Sequence, residues 1–130
     1  MSQWSLQSDL KRVRGLGSAK AGVGHWWAQR VTALALIPLT LWFVASVIGL
    51  VGASHAAVVD WIASPIPAVL LVLLIAATFH HAQLGLQVVI EDYVHREGAK
   101  VALILFVKGA AIVLALAALF SVLRIYSWGG

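Results

Sequence analysis

Apolar residues along this chain fall into three long runs, about Val31 to Ala53, Pro65 to Ile90 and Val101 to Ile125, each with few or no charges. Each reaches the roughly 20 residues that a helix needs to cross about 30 Å of hydrocarbon. Only helices and closed barrels satisfy their backbone polar groups inside a bilayer, and unbroken apolar runs of this length belong to helices. The pattern predicts an all-α integral membrane bundle with three transmembrane helices over about 27–53, 65–92 and 99–126. Residues 1–24 are expected to form a polar basic segment and residues 25–130 the membrane domain. Glycines at 15, 17, 22 and 24 are expected to hold off regular helix until the membrane is reached.

Composition strengthens this picture. Of the 130 residues 62% are hydrophobic and 11% are charged, and the mean hydropathy is +0.95. A water-soluble chain this small has no interior large enough to hide so much apolar surface. The first thirty residues are polar and basic and the first apolar run is long enough to span, so no cleavable signal peptide is expected. There is no cysteine. Disulfides, iron–sulfur ligation by this chain and covalent c-type haem attachment are thereby excluded.

The net charge of +4 reads as topology, and no nucleic-acid partner is expected. Lys11, Arg12, Arg14, Lys20 and Arg30 precede the first span, and Arg96 and Lys100 follow the second, whereas Ser54 to Ser64 contains no Lys or Arg. The positive-inside rule places the N-terminus and the second loop on the cytoplasmic or matrix side. Arg124, at the far end of the third span, runs against that bias. The basic N-terminal segment is suited to anionic lipid headgroups or to the acidic face of a partner.

Within the spans, His25-Trp26-Trp27 opens the first helix as an interfacial anchor, Pro38 is expected to bend or loosen it, and Ser64-Pro65-Ile66-Pro67 suits the start of the second. Ala111, Ala115 and Ala118 line one face of the third and permit close helix packing. Lys108 is expected to snorkel toward the inner interface.

The second span ends in ionisable and amide groups: His80, His81, Gln83, Gln87, Glu91, Asp92 and Tyr93. Such groups are costly in hydrocarbon and normally face a bundle interior, a cofactor or water. At 100° per residue, His81 and Asp92 fall within about 20° of one another and about 16 Å apart along the axis, with Gly85 one turn from His81 on the same face. Gly85 leaves room for a flat macrocycle or for a second helix. His80 is about 100° away from His81, so the two are unable to ligate one iron from opposite sides. A tyrosine hydroxyl at the depth of Tyr93 is placed to donate to a quinone carbonyl, with Asp92 to orient it, and the plain alternative is an interfacial tyrosine beside a solvated acid.

The run from His81 through Gly85 to Asp92-Tyr93-Val94 resembles the corresponding segment of the D-type membrane-anchor subunits of succinate dehydrogenase, respiratory complex II. The opening Gly24-His25-Trp26-Trp27-Ala28-Gln29-Arg30-Val31 is similar to the His-Trp start of the first span in the same family. This resemblance implies that His81 is one axial ligand of a b-type haem, with the other supplied by a companion C-type cytochrome b anchor subunit. It implies that Tyr93, supported by Asp92, binds the ubiquinone headgroup, and that Arg30 and His25 lie near the quinone or the haem propionates. His80 remains the alternative ligand. The implied function is to hold a flavoprotein and an iron–sulfur subunit, which carry the FAD and the clusters, at a bacterial or mitochondrial inner membrane. No residue of this chain is given a catalytic role in succinate oxidation. Two other readings stand beside it: a purely structural anchor without haem, and a small ion- or proton-conducting subunit.

Overall fold

The structure, a computed structural model, describes residues 18–129. Four helices follow one another: α1 Ser18–Gly49, α2 His55–Ala63, α3 Pro65–Tyr93 and α4 Glu97–Trp128. Three of them are long and apolar enough to cross a membrane, over Gly22–Gly49, Pro65–Tyr93 and Glu97–Trp128. The short α2, which apolar run length alone does not reveal, occupies the loop between the first two spans.

Helix α1 begins at Ser18, well before the expected start, and carries Gly22 and Gly24 inside it. Glycine costs a helix only about 1 kcal/mol relative to alanine, and extending an existing helix is far easier than nucleating one. The same helix continues through Pro38. It stops at Gly49, a few residues earlier than the apolar run suggests, because Leu50–Ala53 turns back on itself with Gly52 at φ +81°. Lys11, Arg12, Arg14, Gly15 and Gly17 lie outside the described residues.

Local chemistry sets the other boundaries. Ser54 caps α2 by accepting a hydrogen bond from the Ala57 backbone N–H at 3.2 Å. Ser64 is at once the C-cap of α2 and the N-cap of α3, with an extended backbone at φ −73° and ψ 141°. Pro65 dictates that conformation, since a residue preceding proline is driven out of the helical region. The Ser64 amide still donates to Trp61 O at 3.2 Å, its carbonyl accepts from Ala68 at 3.0 Å, and its hydroxyl donates to Asp60 O at 2.8 Å. Three residues, Val94 to Arg96, link α3 to α4. At the far end Gly129 closes α4 in the left-handed region, at φ +65°.

Helix α3 touches each of the other three helices. The tightest core lies toward the α2 end, where Ala68, Leu71 and Val122 are buried beneath Trp42, Trp61, Ile62, Val72 and Ile75. There Trp42 and Trp61 stack, with ring centroids 5.8 Å apart and planes 23° from parallel. Nearly everything else apolar faces outward: Leu34, Leu41 and Phe106 are each about two-thirds or more exposed. Helices apolar on every side, with so little interior between them, are built for a lipid solvent. The chain is a multi-pass membrane protein.

Candidate functional site

Thr32 of α1 and His81 of α3 meet across the seam between their helices, with Thr32 Oγ1 3.0 Å from His81 Nδ1. The threonine is held from below by its own helix: its hydroxyl lies 2.6 Å from Ala28 O and 3.2 Å from Gln29 O. Threonine in a helix commonly bonds back one turn in this way, which fixes its side chain. His81 itself is half-buried.

One turn along the same seam stands Gly85. A β-carbon there would lie 3.7 Å from Gln29 Nε2, an ordinary contact distance. Of the two occupants that the missing side chain suggests, a macrocycle or a second helix, the described structure places helix α1 at this point. Gln29 Oε1 is buried with no hydrogen-bond partner among the described residues. An unsatisfied amide oxygen of this kind costs about 1–3 kcal/mol.

His80 faces elsewhere. It lines a groove of about 420 Å³ between α3 and α4, together with His25, Gln83, Lys108, Ala111 and Ala115. His25, which the resemblance groups with Arg30, lines this groove with His80. Arg30 is exposed and stacks its guanidinium over Trp26, 5.1 Å from the ring centroid. Trp26 packs edge-on against Trp27 at 5.0 Å. Lys108 is half-buried in the groove, and the alanine face of α4 forms part of the wall beside it.

At the end of α3, Asp92 and Tyr93 are exposed, Tyr93 by 78%. Beside them runs a ladder that residue-by-residue reading passed over: Gln83 Nε2 donates to Gln87 Oε1 at 3.3 Å, and Gln87 Nε2 to Glu91 Oε1 at 2.8 Å. The i, i+4 spacing of Gln83, Gln87 and Glu91 is the signal that exposes it in the sequence. Thr32 and Gln29 had no comparable signal, because their importance depends on how α1 and α3 are aligned. Among the described residues no three His, Asp or Glu side chains converge as a metal cluster.

A lipid-embedded three-span bundle with a histidine held at an interhelical seam, and an acid and a tyrosine at the end of the same helix, defines the class: small helical membrane subunits that carry polar machinery within an otherwise apolar shell. Comparison with known proteins makes the class specific. The family described as succinate dehydrogenase/fumarate reductase transmembrane subunit matches residues 5–122, and this chain belongs to it. The chain is 30% identical over 125 residues to the succinate dehydrogenase hydrophobic membrane anchor subunit of Rickettsia bellii, covering 96% of this chain and 92% of that one. It is 34% identical over 94 residues to the subunit of the same name from Paracoccus denitrificans, covering 72% and 73% of the two chains. A succinate dehydrogenase membrane anchor subunit from Reclinomonas americana is 29% identical over 96 residues, covering 72% and 80%.

Proposed function

We propose that this membrane anchor ligates a b-type haem through His81 together with a companion C-type cytochrome b anchor, forms part of a ubiquinone-reduction site with Tyr93 and Asp92, and holds an iron–sulfur and a flavoprotein subunit at the membrane. Succinate oxidation belongs to those soluble partners, which carry the FAD and the clusters. The observation that carries this reading is His81, an imidazole fixed within the span on a helix that ends in Asp92-Tyr93. The residues fit one axial position: His81 offers a single imidazole at the α1–α3 seam, and His80 lies about 100° around the helix from it. The second ligand then belongs to the companion subunit.

When bound, the haem supplies a one-electron redox centre inside the membrane. The residues of this chain have separate tasks. The Tyr93 hydroxyl donates a hydrogen bond to a quinone carbonyl, and Asp92 orients it or accepts its proton. Arg30, freed from its stack on Trp26, provides a guanidinium for a propionate or for the quinone, with His25 in the same vicinity. The Lys and Arg distribution puts the N-terminus and the Tyr93 end on the cytoplasmic or matrix side.

A second ligand reading rests on the groove, where His80 stands with His25 and Lys108. Two cationic or protonatable groups beside a histidine also suit a haem edge with its propionates, and this keeps His80 as the alternative ligand.

Purification of the native complex tests the proposal. Expected are flavoprotein, iron–sulfur and second anchor subunits in equal amounts, b-type bands in the reduced-minus-oxidised spectrum, and succinate-to-ubiquinone turnover. A complex that turns over quinone without b-type bands would mean a structural anchor without haem. Potential-driven proton flux in vesicles containing this chain alone would favour the conducting-subunit reading.

A further inference from the structure

Thr32 contributes one hydroxyl hydrogen, and two acceptors compete for it: Ala28 O at 2.6 Å and Gln29 O at 3.2 Å, both on its own helix. A hydrogen committed to the α1 backbone is not available to His81. The 3.0 Å contact between Thr32 Oγ1 and His81 Nδ1 is then a hydrogen bond only if the imidazole is the donor. A neutral histidine carries its proton on one ring nitrogen. With that proton on Nδ1, Nε2 bears the lone pair.

From this geometry we infer that Thr32 is a positioning residue for His81: it accepts the Nδ1–H, fixes the tautomer and ring orientation, and so presents Nε2 to a metal. The inference rests on the reading of His81 as a haem ligand. Ligating histidines typically hand their second N–H to an acceptor, which orients the ring and raises the basicity of the coordinating nitrogen. Carboxylates or free carbonyls often serve. Here the backbone carbonyls of α1 are engaged in their own helix, and a threonine oxygen turned outward by back-bonding is the acceptor that stands within reach of Nδ1. The device is passive and uncharged, so it introduces no ion into the membrane.

The direction of its effect follows from electrostatics. A hydrogen bond accepted from Nδ1–H increases electron donation from Nε2 and favours ferric over ferrous iron. Thr32→Val keeps the branched shape and removes the acceptor. In the purified complex this variant is expected to raise the haem midpoint potential, to shift the low-spin electron paramagnetic resonance signal, and to weaken haem retention about 10–100-fold, the usual cost of losing such a partner. Thr32→Ser, which restores an oxygen, should return all three toward the native values. Succinate oxidation with a soluble acceptor reports assembly. Should Thr32→Val not assemble, Thr32→Ala compared with Thr32→Ser carries the same contrast at lower steric demand.

His81→Ala, measured in parallel, separates the two levels of the argument. Retention of native haem in His81→Ala defeats the ligand reading itself. Loss of haem in His81→Ala with native potential, resonance signal and retention in Thr32→Val defeats the positioning role alone. Equal shifts in the serine and valine variants would assign Thr32 to packing and overturn the inference as well.

Discussion

Gln29 of α1 rests against the bare backbone of Gly85 in α3, its amide nitrogen 3.7 Å from where a β-carbon would stand. The seam that holds His81 is thus narrow one turn away from the histidine. A methyl group fits at that distance, and a branched side chain would press on the end of the Gln29 side chain, which must shift to admit it. Gly85→Ala is expected to leave the complex within about 1 kcal/mol of native stability, whereas Gly85→Leu should cost about 1–3 kcal/mol as an overpacked substitution. Thermal unfolding of the purified complex in detergent measures both. A leucine variant as stable as the alanine variant would show that the Gln29 side chain yields without cost at this point.

The two adjacent histidines face different surroundings, His81 the α1 seam and His80 the groove beside Lys108. His81→Ala should therefore abolish or strongly perturb the b-haem spectrum, and His80→Ala should leave low-spin haem in place. The reverse pattern in the two variants transfers the ligand to His80 and gives the groove its occupant.

Tyr93 is 78% exposed at the end of α3, and its hydroxyl makes no side-chain hydrogen bond among the described residues. Tyr93→Phe keeps the ring and deletes a single donor. If that hydroxyl bonds the quinone carbonyl in a desolvated site of the assembled complex, its loss is worth roughly 1–3 kcal/mol, or about tenfold and upward in turnover if the bond strengthens as charge develops on the quinone. Succinate oxidation with a soluble acceptor should survive, with haem retained, while succinate-to-ubiquinone turnover falls. Equal loss of both activities points to failed assembly, and unchanged quinone turnover would leave Tyr93 a belt residue.

Expressed without partners, the chain should insert but not bind haem stoichiometrically. His80 and His81 are adjacent on α3, His55 begins α2, His95 lies between α3 and α4, and His25 stands near the start of the first span rather than midway along it. Pyridine haemochrome assay of the isolated polypeptide, with a bis-histidine signature at one haem per chain, is the result that would overturn this.

The three spans were legible because hydrocarbon thickness imposes a length that composition reports directly. Their ends were less so. Gly22 and Gly24 looked like breaks and are accommodated inside α1, since a helix already under way absorbs a glycine cheaply. Helix α2 was hidden because its nine residues leave too little room for a periodic pattern, although Ser54 before it and Ser64-Pro65 after it are cap signals. Within the site, the shared face of His81, Gly85 and Asp92 follows from the 100° repeat alone. Thr32 does not, because the register of one helix against another is set by packing between residues distant in sequence. For His25 and Arg30 too, proximity along α1 says nothing about which neighbour each side chain meets: His25 lines the groove with His80, and Arg30 stacks on Trp26.

Ser64 alone separates α2 from α3, its hydroxyl, amide and carbonyl all engaged, so the junction is an elbow with no slack. A tilt or axial rotation of α3 must drag α2 along, and α2 presses on α1 through the stacked rings of Trp61 and Trp42. Over the 29 residues of α3, about 43 Å at 1.5 Å per residue, the helix acts as a lever pivoted by this elbow. Load applied where Tyr93 emerges is carried along that lever to its far end and met there by a brace of two indoles.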